Sequence, residues 1–168
     1  ATLSASRSAI GATAGHQLHC SRPTGHGLAP VKQDLAARVW LTEGLLKADI
    51  ASDLLGEVVI GAAGQKFDLD LLREYLHQLQ AVEVVVALDQ DRPGSDAAVK
   101  TEKARLAVAD QLVALGYRVS FAVWSHEEGK GLDDLLLANG RPVLREYAGR
   151  RRAPRLAPKL DQIDAPLD

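Results

Sequence analysis

Methionine is absent from the 168 residues, and cysteine occurs once, at Cys20. A single thiol forms no internal disulfide, so nothing in the chain asks for an oxidising compartment. Long apolar runs are missing as well. No stretch approaches the roughly 18–20 residues that cross a bilayer, and the first thirty residues lack the basic start and apolar centre of a signal peptide. The cytosol is the expected location, with no membrane partner. Excess charge of either sign is also missing: 20 Lys and Arg stand against 22 Asp and Glu, a formal charge of -2. A nucleic-acid binder usually carries a basic face or stripe, so any such affinity here must be local. A chain that opens on Ala1 reads as a segment of a longer polypeptide.

The remaining composition is ordinary, with 46% hydrophobic and 25% charged residues but only 4% aromatics. At this length one domain with its own core is expected. Residues 1–36 read as an N-terminal extension, partly disordered, in which "HQLHC" is a possible short strand and "SRPTGHGLAP" a connector. Residues 37–149 read as the packed domain, and 150–168, rich in arginine and proline, as a basic tail or linker.

Inside the domain strands and helices alternate. "RVWLTE", "EVVIGAAG", "VEVVVALD" and "YRVSFAVW" are strand candidates. Between them "GLLKADIASDLLG" places Leu46, Ile50 and Leu54 four residues apart, and "DLDLLREYLHQL" places Leu69, Leu72, Leu76 and Leu79 on one face. The long segment after Gly94 offers Ser95 as a cap, Thr101, Ala104, Val108, Leu112 and Leu115 as one face, and Gly116 as a stop. Alternation of this kind implies crossover connections and an α/β fold with a mainly parallel four-stranded sheet flanked by helices. The unbroken Val84–Leu88 run fits a strand covered on both faces.

In open parallel sheets ligands bind beyond the carboxyl ends of the strands. Glu43 closes one strand candidate, and Asp89 and Asp91 close another. Residues two apart in an extended segment project to the same side, so both aspartates can face one ion. Gly44 and Gly94 let the backbone turn beside them. Oxygen donors of this type suit Mg2+, with Mn2+ as a substitute. For the three acids to meet, the first and third strands must be neighbours. Two nearby aspartates also repel, so converting both to asparagine is expected to stabilise the metal-free chain.

These residues resemble a Toprim domain, the catalytic fold shared by bacterial-type primases, topoisomerases and some nucleases. The resemblance lies in "TEGLLKA", a glutamate-glycine after the first strand, and in "ALDQDRPG", an Asp-x-Asp after the third. "VVIGAAGQ", with Gly64 in its turn, is similar to the small-residue segment between those motifs, and "EEGKGLDDLLLANG" to a segment found in primase-like proteins of phages, plasmids and integrative elements, among them a family described as a domain of unknown function. The resemblance covers residues 38–140. It implies a compact Toprim-like or Rossmann-like domain with Glu43 as general acid or base and Asp89 and Asp91 as magnesium ligands, Asp133 or Asp134 supplying a further acid. It also implies nucleic acid and nucleotides as partners, a role in replicating a mobile element, and helicase or other replication domains in the parent chain. One departure concerns Lys47, which stands four residues beyond the glutamate where replicative primases carry an acid. A protonated lysine ligates no metal, but it can act on phosphate as a point charge.

Other signals carry less. His16, His19, Cys20 and His26 lie close together without the paired spacing of structural zinc. Arg150, Arg151 and Arg152, with Lys130 upstream, form a basic set for phosphate contacts or a solvated linker. "GAAGQK" lacks the spacing of a phosphate-binding loop. Two alternatives to a phosphotransfer enzyme therefore stand: a non-catalytic module of the same fold that binds nucleic acid or nucleotide, and a haloacid-dehalogenase-type phosphatase using "LDQDRPG", Lys130 and the Asp133–Asp134 pair.

Overall fold

The computed structural model describes residues 18–23 and 36–149. Six strands, β1 (Leu18–Ser21), β2 (Arg38–Glu43), β3 (Val58–Ala62), β4 (Glu83–Val86), β5 (Arg118–Val123) and β6 (Val143–Tyr147), form one sheet in the order β1-β3-β2-β4-β5-β6. The inner four strands run parallel, as the alternating pattern implies. The two edge strands pair antiparallel, β1 on β3 and β6 on β5. β1 overlaps the short strand expected in "HQLHC", whereas β6 carries no pattern that marks it. Four of its five residues are exposed, so burial imprints no alternation on them.

Among the described residues four α-helices cover the sheet: α1 (Leu45–Leu55), α2 (Leu69–Gln78), α3 (Asp96–Ala114) and α4 (Leu132–Leu137). Successive residues of a strand face opposite sides. Val39 and Leu41 of β2 accordingly join Leu72 and Leu76 of α2 and Val108 and Leu112 of α3 in one core. Trp40 joins Ala48 and Ala51 of α1 and Leu132 and Leu136 of α4 in the other. Asp68 caps α2 by accepting the Asp70 and Leu71 amides, and Ser95 caps α3 by accepting that of Ala98. No helix among the described residues is long and apolar enough to cross a membrane.

Two expected helix faces are corrected. In α1 the spacing points to Leu46, Ile50 and Leu54, yet Leu46 is 71% exposed and the buried residues are Ala48, Ala51 and Ser52. The reason is the closeness of α1 to β3. A Cβ on Gly61 would lie 2.6 Å from the Gly44 carbonyl oxygen and 2.8 Å from the Ala48 Cβ. At that separation only small side chains fit between helix and sheet, and the leucines turn outward. Leu115 likewise ends α3 at its C-cap and is 44% exposed.

Candidate functional site

The register that sets Leu41 opposite Val86 makes β2 and β4 direct neighbours, so the strands that end in the acidic motifs lie side by side. β2 stops at Glu43 because Gly44, at φ 81°, turns the chain into α1, with its amide bonded to the Ala62 carbonyl at 2.7 Å. The β2–β4 ladder runs one residue past β4, through the Ala87 amide and the Leu41 carbonyl at 2.8 Å. Leu88 follows fully buried, and Asp89 emerges at the strand end only 6% exposed. Gly64 and Gly94 also turn at positive φ, in the loops after β3 and before α3.

A buried carboxylate needs a counter-charge, and two lysines supply it. Lys47, one turn into α1, donates to both oxygens of Asp89 at 2.9 and 3.0 Å. Lys130, from the loop before α4, lies 3.5 Å from Asp91 and 3.9 Å from Asp89. Lys47 is the more enclosed, with its side chain 31% exposed against 58% for Lys130. Gly131 makes room for it, since a Cβ there would come within 3.0 Å of the Lys47 Nζ. The second oxygen of Asp91 accepts from the Thr101 hydroxyl, which in turn accepts from the Gln65 amide, both at 2.7 Å.

The remaining acids divide. Asp133 lies near Lys47, and its Oδ1, like Glu43 Oε1, is buried without a hydrogen-bond partner. Asp134 is exposed and accepts the Gly131 amide at 3.1 Å, a helix-capping role. Among the described residues no three His, Cys, Asp or Glu side chains stand as a ready ligand set for a metal. His19 is engaged by Asp49 of α1 at 2.8 Å, while His16 and His26 lie outside the described residues. Arg150, Arg151 and Arg152 lie outside them too.

Burial, followed by the neighbouring Asp89 charge, pushes the Glu43 carboxyl above the ordinary 4.5; Gln65, Lys47 and the Asp89 backbone oppose the rise without cancelling it. Burial works against the Lys47 ammonium, but Asp89, Asp133 and Glu43 outweigh it and leave the pKa above the ordinary 10.5. Lys47 is therefore a fixed positive charge at neutral pH. Glu43 has a predictable effect on stability. A carboxyl that holds its proton more tightly when folded destabilises the fold once ionised, so this contribution worsens as pH rises from 4.5 through the folded value. Denaturation of the wild type and of Glu43→Gln across that range should show the variant gaining relative stability as pH rises. A constant difference would contradict the shift.

Sequence reasoning missed several residues that build this edge. Gly61 sets the approach of α1, Gln65 and Thr101 hold Asp91, and Gly131 admits Lys47. Lys130 carries a basic-contact reading in the sequence, and here it faces the aspartates. Next to Asp91 opens a cleft of about 660 Å³ lined by Arg92, Trp124, Ser125 and His126 among others. Its walls are tied together by His126 Nδ1 on the Gln90 carbonyl at 2.7 Å and by the Trp124 indole on the Gly129 carbonyl at 2.8 Å.

A solved structure described as the DnaG primase catalytic domain bound to ssDNA is similar to the chain at 14% identity, over 64% of this chain and 35% of that one, with a TM-score of 0.45. This chain thus spans well under half of that structure's length. No curated protein matches. A family model described as Domain of unknown function (DUF3854) matches residues 29–143, more than half of the chain, which belongs to that family.

Proposed function

We propose that this domain is a Toprim-like phosphotransfer module acting on nucleic acid, primase-like in its chemistry and part of the replication machinery of a mobile element. One observation carries the reading: Glu43 and the Asp89–Asp91 pair end adjacent parallel strands, with two lysines beside them. Substrates of open parallel sheets bind at that edge. Phosphoryl transfer asks chiefly for positioning and charge stabilisation, and the residues suit both tasks.

The donor chemistry fits magnesium or manganese. The acids offer hard oxygen ligands only, and Glu43 Oε1 and Asp133 Oδ1 are buried acceptors without a partner. Asp89 and Asp91 would hold the ion. Bound there, it would polarise a phosphoryl oxygen. Glu43, whose proton affinity is raised by burial and by Asp89, is suited to exchanging a proton with a reacting hydroxyl. Lys47 and Lys130 offer cationic contacts to phosphate, and Thr101 and Gln65 keep Asp91 oriented. The cleft beside Asp91, with Arg92, Trp124 and His126 in its wall, gives a nucleotide or strand end room to approach.

A second reading, a non-catalytic module that binds nucleic acid or nucleotide, is favoured by the Lys47–Asp89 pair, which neutralises the most buried acid of the site. A phosphatase using Asp89 with the Asp133–Asp134 pair is disfavoured because Asp134 is exposed and engaged in capping α4 through the Gly131 amide. The protein should be incubated with single-stranded DNA templates, nucleoside triphosphates and magnesium or manganese. Metal-dependent formation or cleavage of phosphodiester bonds supports the enzyme. Strand binding without turnover supports the binding module, and trapping by beryllium fluoride the phosphatase.

A further inference from the structure

The acidic edge carries its own cations. Lys47 bonds both oxygens of an almost fully buried aspartate, and Asp133 and Glu43 add to the field around its ammonium. A magnesium ion arriving alone would have to displace that ammonium from Asp89, which loses two charge-assisted hydrogen bonds and leaves a half-buried lysine beside a divalent cation. Such bonds are about twice as strong as neutral ones, and like charges at this distance repel. A phosphate group changes the balance. It offers the displaced ammonium new acceptor oxygens and cancels part of the positive charge, while its remaining oxygens complete the coordination that two aspartates leave open.

We propose that Lys47 is an internal counter-ion that makes the site selective for magnesium together with a phosphate group over the free ion. The inference rests on the reading of Asp89 and Asp91 as metal ligands and adds a specificity determinant to it. Lys130, farther from both aspartates and more exposed, has a minor share, since exposed ion pairs contribute little. The coupling is reciprocal by linkage: phosphate should bind better with magnesium present, and magnesium better with phosphate.

The test is calorimetric titration of magnesium into the wild type, Lys47→Met and Lys130→Met, each with and without inorganic phosphate, a weak chelator that leaves most of the ion free. Circular dichroism checks that the variants are folded, and Lys47→Gln replaces the methionine variant if that one is not. The wild type should bind free magnesium weakly and at least tenfold more tightly with phosphate. Lys47→Met should bind free magnesium at least tenfold more tightly than the wild type, with a smaller gain from phosphate; Lys130→Met should bind free magnesium with nearly the wild-type affinity and lose only part of the gain from phosphate. A second readout needs no turnover: magnesium alone should raise the melting temperature of Lys47→Met and leave that of the wild type nearly unchanged. Equal affinity of wild type and Lys47→Met for free magnesium would overturn the counter-ion role while leaving the metal site standing. No magnesium binding by any of these chains, with or without phosphate, would remove the metal site and this inference with it.

Discussion

Glu43→Gln is expected to reduce phosphotransfer by about 10²–10⁴-fold, the range in which a positioned acid or base contributes. The change keeps the shape of the side chain and removes its ability to exchange a proton. Because the glutamate is held above its ordinary pKa by burial and by Asp89, loss of its charge relieves a local repulsion. The fold should therefore survive, with a melting temperature equal to or above that of the wild type at neutral pH. Steady-state rates of phosphodiester formation or cleavage, measured beside the thermal midpoint, separate the two effects. Retained activity would remove Glu43 from the chemistry, and a large drop in melting temperature would assign it a structural role.

The second large effect concerns a residue that touches no substrate. Gly61→Val should destabilise the domain by about 3 kcal/mol, at the upper end of the usual cost of overpacking. The added Cβ meets the Gly44 carbonyl oxygen at 2.6 Å and the Ala48 Cβ at 2.8 Å. Neither is the free end of a flexible side chain, so α1 itself must move off β3. Gly44 is the turn that ends β2 at Glu43, and Lys47 lies one residue before Ala48, so the same movement displaces the site. Urea denaturation should show a lowered midpoint, and phosphotransfer should fall further than the loss of folded protein explains. A variant of unchanged stability would mean that α1 does not pack as closely as described.

The contrast between Glu43 and Gly61 shows what a sequence makes legible. Acids that close apolar runs stand out, because a strand end in a parallel sheet is a known place for chemistry, and the pairing of β2 with β4 follows once they are required to meet. The Leu72, Leu76 and Leu79 face of α2 is legible for a similar reason: a wide apolar stripe has one reasonable destination. Close packing by small residues leaves no such mark. The Ala48–Ala51–Ser52 face of α1 is masked by the larger leucines on its exposed side, and Gly61 is one small residue among several in "GAAG". β6 is hidden because an exposed edge strand needs no apolar alternation. The charge pairing was the least accessible of all, since Lys47 reaches Asp89 across 42 residues and Lys130 approaches from a third loop.

That pairing reverses one expectation. Two aspartates two residues apart repel, and on that ground their joint replacement should stabilise the metal-free protein. The structure surrounds them with Lys47, Lys130 and the Thr101 hydroxyl. Asp89→Asn with Asp91→Asn removes the partners of a half-buried lysine, and the expected outcome is now a loss of about 2 kcal/mol, reduced from the fully buried case because Lys47 is partly solvated.

The same double variant gives the most direct test of the central claim, that Asp89 and Asp91 at the edge of β4 hold a divalent ion for phosphoryl transfer. Magnesium, and then manganese, is titrated calorimetrically into wild type and double variant in the presence of inorganic phosphate. Saturable binding by the wild type that disappears in a still-folded double variant is the predicted result. Equal binding by both chains, or none by the wild type with either ion, would contradict the account.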